Sequence, residues 1–186
     1  LNKLFADLVP NRYAHQKAIA EDIDKRFIVA EDTAFSTITV NKNYRTTAHR
    51  DGANLEGGFS NLSTVTKDGI GWSGGLFVLP EFRVAINLRP GDALLVDNAN
   101  IIHGNTEIIP PEGMDVEDME RISLVSYMRD GMSELGSKEY EDARHDYVQE
   151  RSRNKDHKLW RERWNGVSPN MWEEDEWHDY RKARGV

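Results

Sequence analysis

The pair His49-Arg50-Asp51 and the distant His103 constrain this chain more than any other feature. In an extended strand, residues two apart point to the same side, so His49 and Asp51 can converge on one ion. A third ligand must come from elsewhere, and Ile102-His103-Gly104-Asn105 supplies the candidate. The fold must therefore lay two remote segments side by side. Two imidazoles and one carboxylate leave roughly half the positions of an octahedral ferrous ion open to other molecules. Downstream, Arg121 opens the apolar run Arg121-Ile122-Ser123-Leu124-Val125-Ser126-Tyr127, and a planar guanidinium suits bidentate capture of a carboxylate. Each piece alone has an ordinary reading. His-x-Asp recurs by chance, His103 fits a hydrogen-bonded structural histidine, and Arg121 could pair with the acids before it. Order and spacing together point to a metal site with an anion anchor.

Composition narrows the chemistry. At 186 residues the chain is read as one domain, with N-terminal helices over 1–32, a β core over 33–130 and a Trp-rich helical extension over 131–186. It has no cysteine, which excludes disulfides, thiolate zinc sites and iron–sulfur clusters. The net charge of −8 argues against nucleic-acid binding by bulk electrostatics but leaves room for a local basic groove. No apolar run reaches the length of a membrane span and no signal peptide is visible, so a cytoplasmic location is expected.

Leu1, Leu4, Phe5 and Leu8 recur at helical spacing. Pro10-Asn11 breaks the run, and Tyr13 to Lys25 predicts a second helix with Ile19 and Ile23 on one face. Phe35 to Val40 alternates apolar and polar residues, as a half-buried strand does, and Asn41-Lys42-Asn43 is a turn signal. Tyr44 to His49 is expected to return as the next strand. Further strands are expected over Phe59–Val65, Gly74–Pro80, Arg83–Leu88, Ala93–Asp97 and Arg121–Met128, with Lys67-Asp68-Gly69 and Pro90-Gly91-Asp92 as turns. Residues 108 to 119 read as a surface excursion. Seven or eight short strands predict a mainly β fold, a jelly roll or double-stranded β-helix with flanking helices.

Beyond Gly131 the chain becomes charged and helical. Trp160 and Trp164 would share a helix face. Either this aromatic side docks against the β core, or it faces a substrate. The bases Arg151, Arg153, Lys155, Lys158, Arg161 and Arg163, interleaved with tryptophan, suit a phosphate backbone, although the acids at 173–176 could simply pair with them.

Several stretches together resemble the TET/JBP group of dioxygenases. They are Phe35 to Asn43, the His49–Asp51 pair, Gly74-Gly75-Leu76 with Pro80-Glu81, Gly91-Asp92, His103-Gly104-Asn105 and Arg121-Ile122-Ser123-Leu124-Val125. That group oxidises the 5-methyl group of thymine or 5-methylcytosine in nucleic acid, and phages carry short versions. The resemblance covers roughly residues 33 to 130. It implies that His49, Asp51 and His103 bind Fe(II) as the catalytic centre, and that Arg121, helped by Ser123, holds the distal carboxylate of 2-oxoglutarate. It also implies O2 as co-substrate, and DNA containing a methylated pyrimidine as partner, with Asn54 helping to hold the target base. The chain departs from animal TET enzymes in lacking their cysteine-rich, zinc-binding region. Two other readings stay open: the same hydroxylation chemistry on a peptide side chain or free small molecule, and a non-catalytic jelly-roll binding protein.

Overall fold

Alternation dictates the first strand, but with its faces reversed. In the computed structural model, which describes residues 1–66, 71–166 and 168–186, β1 spans Thr37–Lys42. Its polar residues Thr37, Thr39 and Asn41 turn inward, while Ile38 and Val40 are exposed. The alternation and half-burial are as expected, but the buried face is the polar one. Thr39 and Asn41 line a cavity, and an inner face that borders a polar cavity needs polar residues.

β1 is the edge of a four-stranded sheet ordered β1-β9-β2-β6, with β2 at Ser60–Thr66, β6 at Ala93–Val96 and β9 at Arg121–Tyr127. All three pairings are antiparallel, with Asn41 opposite Ser123 and Thr64 opposite Ser123 from the other side. A three-stranded sheet is ordered β5-β4-β7, with β4 at Phe77–Leu79, β5 at Val84–Ile86 and β7 at Gly104–Asn105. The two-residue strands β3 (Ser73–Gly74) and β8 (Ile108–Ile109) pair with one another. Leu62, Val96, Leu94 and Val125 of the larger sheet pack with Phe77, Leu79 and Ile86 of the smaller one. Two antiparallel sheets packed across an apolar layer form the expected jelly roll.

The described residues contain nine strands. Tyr44 to His49 is not one of them, because only His49 makes a ladder bridge, to His103. The excursion over 108–119 is more structured than expected. It contributes β8, and Met119 is fully buried with Trp72 and Ile108. Asn43 reaches across to it: its Nδ2 donates to the carbonyls of Val116 (2.7 Å) and Met119, and its Oδ1 accepts from the Arg121 amide at 2.9 Å. The Pro90-Gly91-Asp92 turn forms, with the Asp92 amide donating to the Arg89 carbonyl at 2.9 Å. The turn expected at Lys67-Asp68-Gly69 lies outside the described residues. Gly74 is at φ +65°, where a Cβ would fall 2.1 Å from the Glu107 carbonyl oxygen, so no other residue fits there.

Helices α1 (Asn2–Leu8) and α2 (Pro10–Asp22) precede the β core. Pro10 opens α2 rather than merely ending α1, since a proline at the first helical position forfeits no hydrogen bond. The Leu1, Leu4 and Leu8 stripe is exposed, and Phe5 alone carries the burial. Its ring stacks on Phe35 and Phe59, each 6.2 Å away, and meets Tyr13 edge-on at 5.5 Å.

The chain divides into two compact units, Leu1–Ser133 and Glu134–Val186. The second unit comprises α3 (Lys138–Arg153), α4 (Lys158–Glu162) and α5 (Glu174–Arg184). Its core is Ala143, Tyr147 and Trp177, with Tyr140, Trp172 and Tyr180 around them. Trp160 and Trp164 stack on each other with centroids 5.6 Å apart. The acids do pair with the basic stretch: Glu176 takes Arg151, Lys158 (2.9 Å) and His157 (3.5 Å), and Glu173 takes Arg163 at 2.9 Å.

Two predictions follow from these contacts. Gln16 is fully buried; its Nε2 donates to the Ala34 carbonyl at 2.6 Å and its Oε1 accepts from the Phe59 amide at 3.1 Å. Gln16→Leu leaves both backbone groups unpaired and should cost about 2–4 kcal/mol in urea unfolding. In the second unit, hydrogen bonds from Lys158 and then Arg151 pull the Glu176 carboxyl down from 4.5 to about 2. A depressed folded value contributes stability that is present above pH 4.5 and lost as pH falls toward 2. Tryptophan fluorescence should report an acid loss of stability in that window, and Glu176→Gln should remove that component.

Candidate metal centre

Two loop segments meet here through their backbones. The His49 amide donates to the His103 carbonyl at 2.9 Å, and the His103 amide returns the bond to His49 at 3.0 Å. Gly104 permits this approach, because a Cβ there would lie 3.0 Å from the Thr47 carbonyl oxygen and 3.2 Å from the Ala48 nitrogen. Thr46 closes the far end: its hydroxyl donates to Asn105 Oδ1 at 2.8 Å, and its carbonyl accepts from the Asn105 amide at 3.1 Å. The Asp51 amide donates to the Asn98 carbonyl at 2.9 Å.

The three side chains then converge. His49 Nε2 lies 3.1 Å from Asp51 Oδ1, and His103 Nε2 lies 3.7 Å from the same oxygen. One ligand atom from each residue falls within 4.8 Å of the others. Adjacent ligands about 2.1 Å from a metal in octahedral geometry would be about 3 Å apart, so the set is near the spacing one ion requires. Both rings are oriented by backbone carbonyls: His49 Nδ1 sits 2.8 Å from Thr47 O and His103 Nδ1 sits 3.0 Å from Ile101 O. A proton on each Nδ1 leaves both Nε2 lone pairs free for a metal. Phe77 stacks on His103 with centroids 5.4 Å apart. The side chains of His49 and Asp51 are 38% and 26% exposed, whereas that of His103 is 5% exposed.

These residues open on a cavity of about 400 Å3, whose wall also carries Asn54, Arg121 and Ser123. All six sequence-derived site residues therefore share one space. Arg121 is 3% exposed, its Nε has no partner, and no carboxylate pairs with it among the described residues. Burial, and secondarily the nearby Arg89 guanidinium, lowers its affinity for its proton. An arginine stays charged regardless, so among the described residues the site holds a buried cation that lacks an anion. Asn54 is engaged locally: its Nδ2 donates to Asp51 Oδ2 at 3.2 Å and to Ser60 Oγ at 2.8 Å. That fixes the carboxylate and leaves Oδ1 of Asp51 toward the imidazoles.

Sequence reasoning missed the clamp between the ligand segments. Arg50 Nε donates to the Asn100 carbonyl at 2.7 Å and its Nη2 to Glu81 Oε1 at 3.3 Å, while Glu81 Oε2 accepts from the Ile102 amide at 3.2 Å. It also missed Trp72, whose ring lies against Arg121 at 5.3 Å. The adjacent Pro80-Glu81 words were visible, but nothing in one sequence says which acid reaches a remote backbone amide.

Comparison with known proteins adds a lineage for the chain. Residues 1–130 match the Tet_JBP family model, described as the oxygenase domain of the 2OGFeDO superfamily. The chain is 34% identical over 132 residues to the bifunctional helicase and thymine dioxygenase JBP2 of Leishmania braziliensis and 36% identical over 132 residues to that of Trypanosoma brucei brucei. It is 27% identical over 137 residues to the thymine dioxygenase JBP1 of Crithidia fasciculata. These alignments take in 71%, 71% and 74% of this chain but only 11%, 11% and 16% of the relatives, so the chain matches a small part of much longer proteins. Among solved structures, NgTET1 in complex with 5mC DNA superposes with a TM-score of 0.57 at 13% identity, over 78% of this chain and 55% of that one, which supports the shared fold. The family match covers most of the chain, and with it this protein belongs to the TET/JBP oxygenase family of the 2-oxoglutarate- and iron-dependent superfamily.

Proposed function

We propose that this chain is an Fe(II)- and 2-oxoglutarate-dependent dioxygenase that uses O2 to hydroxylate the 5-methyl group of a pyrimidine base in DNA. The observation that carries the reading is the convergence of His49, Asp51 and His103 on a cavity that also holds the guanidinium of Arg121, which has no carboxylate partner among the described residues. The donor set suits the metal: two neutral imidazoles and a carboxylate, with room on the cavity side for co-substrates. When bound, iron supplies the redox chemistry, coupling oxidative decarboxylation of 2-oxoglutarate to insertion of one oxygen atom of O2 into a methyl C–H bond.

The chain's own residues do the rest. Thr47 and Ile101 hold the imidazoles in the metal-binding tautomer through their carbonyls. Arg121 pairs with the distal carboxylate of 2-oxoglutarate, and Ser123, two residues along the same strand face, adds a hydrogen bond to it. Asn54 spends its amide hydrogens on Asp51 and Ser60, and it offers its oxygen to a donor on the base edge. A base in a duplex cannot reach such a cavity, so it must leave the stack, at a cost of a few kcal/mol. Thymine is the favoured base, since the named relatives at 34–36% identity are thymine dioxygenases; 5-methylcytosine is the alternative, from the DNA in the NgTET1 complex. The unit Leu1–Ser133 carries the catalysis, with the remaining helices as an extension. No helix among the described residues is long and apolar enough to cross a membrane, and the cytoplasm is the proposed setting.

Mass spectrometry of nucleosides tests the function. Oligonucleotides bearing thymine or 5-methylcytosine, incubated with protein, Fe(II), ascorbate and 2-oxoglutarate, should yield the hydroxymethyl base. Unchanged nucleosides from both would refute the substrate. His103→Ala keeps the backbone bridge and so should fold, yet lose both metal binding and succinate formation; full activity would refute the metal centre. Asn54→Ala should lower coupled oxidation by roughly 1–3 kcal/mol of transition-state stabilisation. Its loss of succinate formation without DNA should be smaller. Equal losses in the two assays would confine Asn54 to holding Asp51.

A further inference from the structure

Two guanidiniums lie against one indole beside the cavity. Arg121 Cζ is 5.3 Å and Arg89 Cζ is 4.8 Å from the centroid of the Trp72 ring. Arg89 is tied there, since its Nη1 donates to the Trp72 carbonyl at 2.7 Å, and the Asp92 side chain accepts from the Arg89 backbone amide at 2.9 Å rather than from its guanidinium. Trp72 is anchored in turn by Ile108 and Met119, and only 8% of it is exposed. No carboxylate pairs with either guanidinium among the described residues. Two like charges held close together, one of them buried, repel each other and forgo hydration. An anion bound beside Arg121 would relieve that repulsion. The like charge is felt by Arg121, where it adds to the effect of burial.

We propose that Arg89 is a positioning residue of the anion site: stacked on Trp72, it backs Arg121 with a second positive charge and so selects ligands that carry a distal carboxylate. The inference rests on the co-substrate reading above and goes beyond it by assigning selectivity to a residue outside the cavity wall. Arg121 touches the carboxylate. Arg89 acts through the field it adds and through the indole it holds against Arg121.

Two ligands separate this role from a merely structural one. 2-Oxoglutarate and pyruvate share the 2-oxo acid head that faces the metal, but only the former has a distal carboxylate. Calorimetric titration of the Mn(II)-loaded full chain, which binds without turnover, reads each affinity. Arg89→Gln, which keeps a donor for the Trp72 carbonyl, should weaken 2-oxoglutarate on the order of tenfold. It should leave pyruvate unchanged. Arg89→Lys should restore most of the loss, and Arg89→Met serves as the neutral variant if the Gln form does not fold. An equal loss for both ligands, or none for 2-oxoglutarate, overturns the proposal. The underlying reading fails separately: an unsubstituted chain that binds 2-oxoglutarate no better than pyruvate, or is indifferent to Arg121→Met, has no distal carboxylate site. Loss on Arg121→Met with none on the Arg89 variants sinks the role of Arg89 alone.

Discussion

The candidate metal centre depends on one backbone pair, His49 with His103. Two hydrogen bonds, of 2.9 and 3.0 Å, bring together segments that are far apart in sequence. Side-chain contacts alone would leave each imidazole free to swing, but here the Cα positions are fixed first and the ring torsions second, by the Thr47 and Ile101 carbonyls. The crossing is tight enough that a Cβ on Gly104 would crowd the Thr47 carbonyl oxygen at 3.0 Å. Arg50 and Glu81 then link the two segments again from outside. A ligand set organised this way stands close to its binding geometry before an ion arrives, and less of the binding energy is spent on ordering it.

The opposite wall is organised by cost rather than by satisfaction. Arg121 begins β9, and its backbone is held by Asn43 on one side and paired with Thr66 of β2 on the other. Its guanidinium nevertheless has no carboxylate partner among the described residues, lies against an aromatic face and is near a second arginine. The Trp72 face offsets part of the desolvation through cation–π attraction. An internal acid would offset more of it, but under the proposed function it would also fill the place that the co-substrate's carboxylate needs. In that reading stability and binding compete at this position.

The convergence of His49, Asp51, His103 and Arg121 on one cavity was legible because their chemistry is carried by residue type and order: His-x-Asp, a later His-Gly and an Arg-led apolar strand. The sheet core was legible for a different reason, since Val96 and Phe77 sit in short apolar runs that suit a packed interior and Leu62 lies in a segment of strand-like composition. Three things were not legible. Tyr44 to His49 has strand-like composition but contributes one bridge, because its backbone is spent on reaching His103. Glu81, Trp72 and Arg89 act by meeting remote partners, and their types are common enough to carry no signal alone. The apolar stripe of α1 misled because periodicity names a face without saying what covers it; Phe5 is buried by aromatic partners from two other segments.

The reversal of β1 shows how a polar site can exist inside a sandwich at all. Were both sheets apolar on their inner faces throughout, the space between them would close around side chains. Here the apolar layer is built mainly from β2, β6 and the smaller sheet, with Val125 of β9 at its edge. Thr39 and Asn41 of β1 face a cavity instead of joining that layer, and Ser123, opposite Asn41 in the ladder, shares it. Leu62 and Phe77 belong to both regions, packing in the core while lining the cavity. Phe77 goes further, since its ring also stacks on His103. The same side chain that helps hold the sheets together therefore packs against a candidate metal ligand, and loosening the core at that point would loosen the site with it.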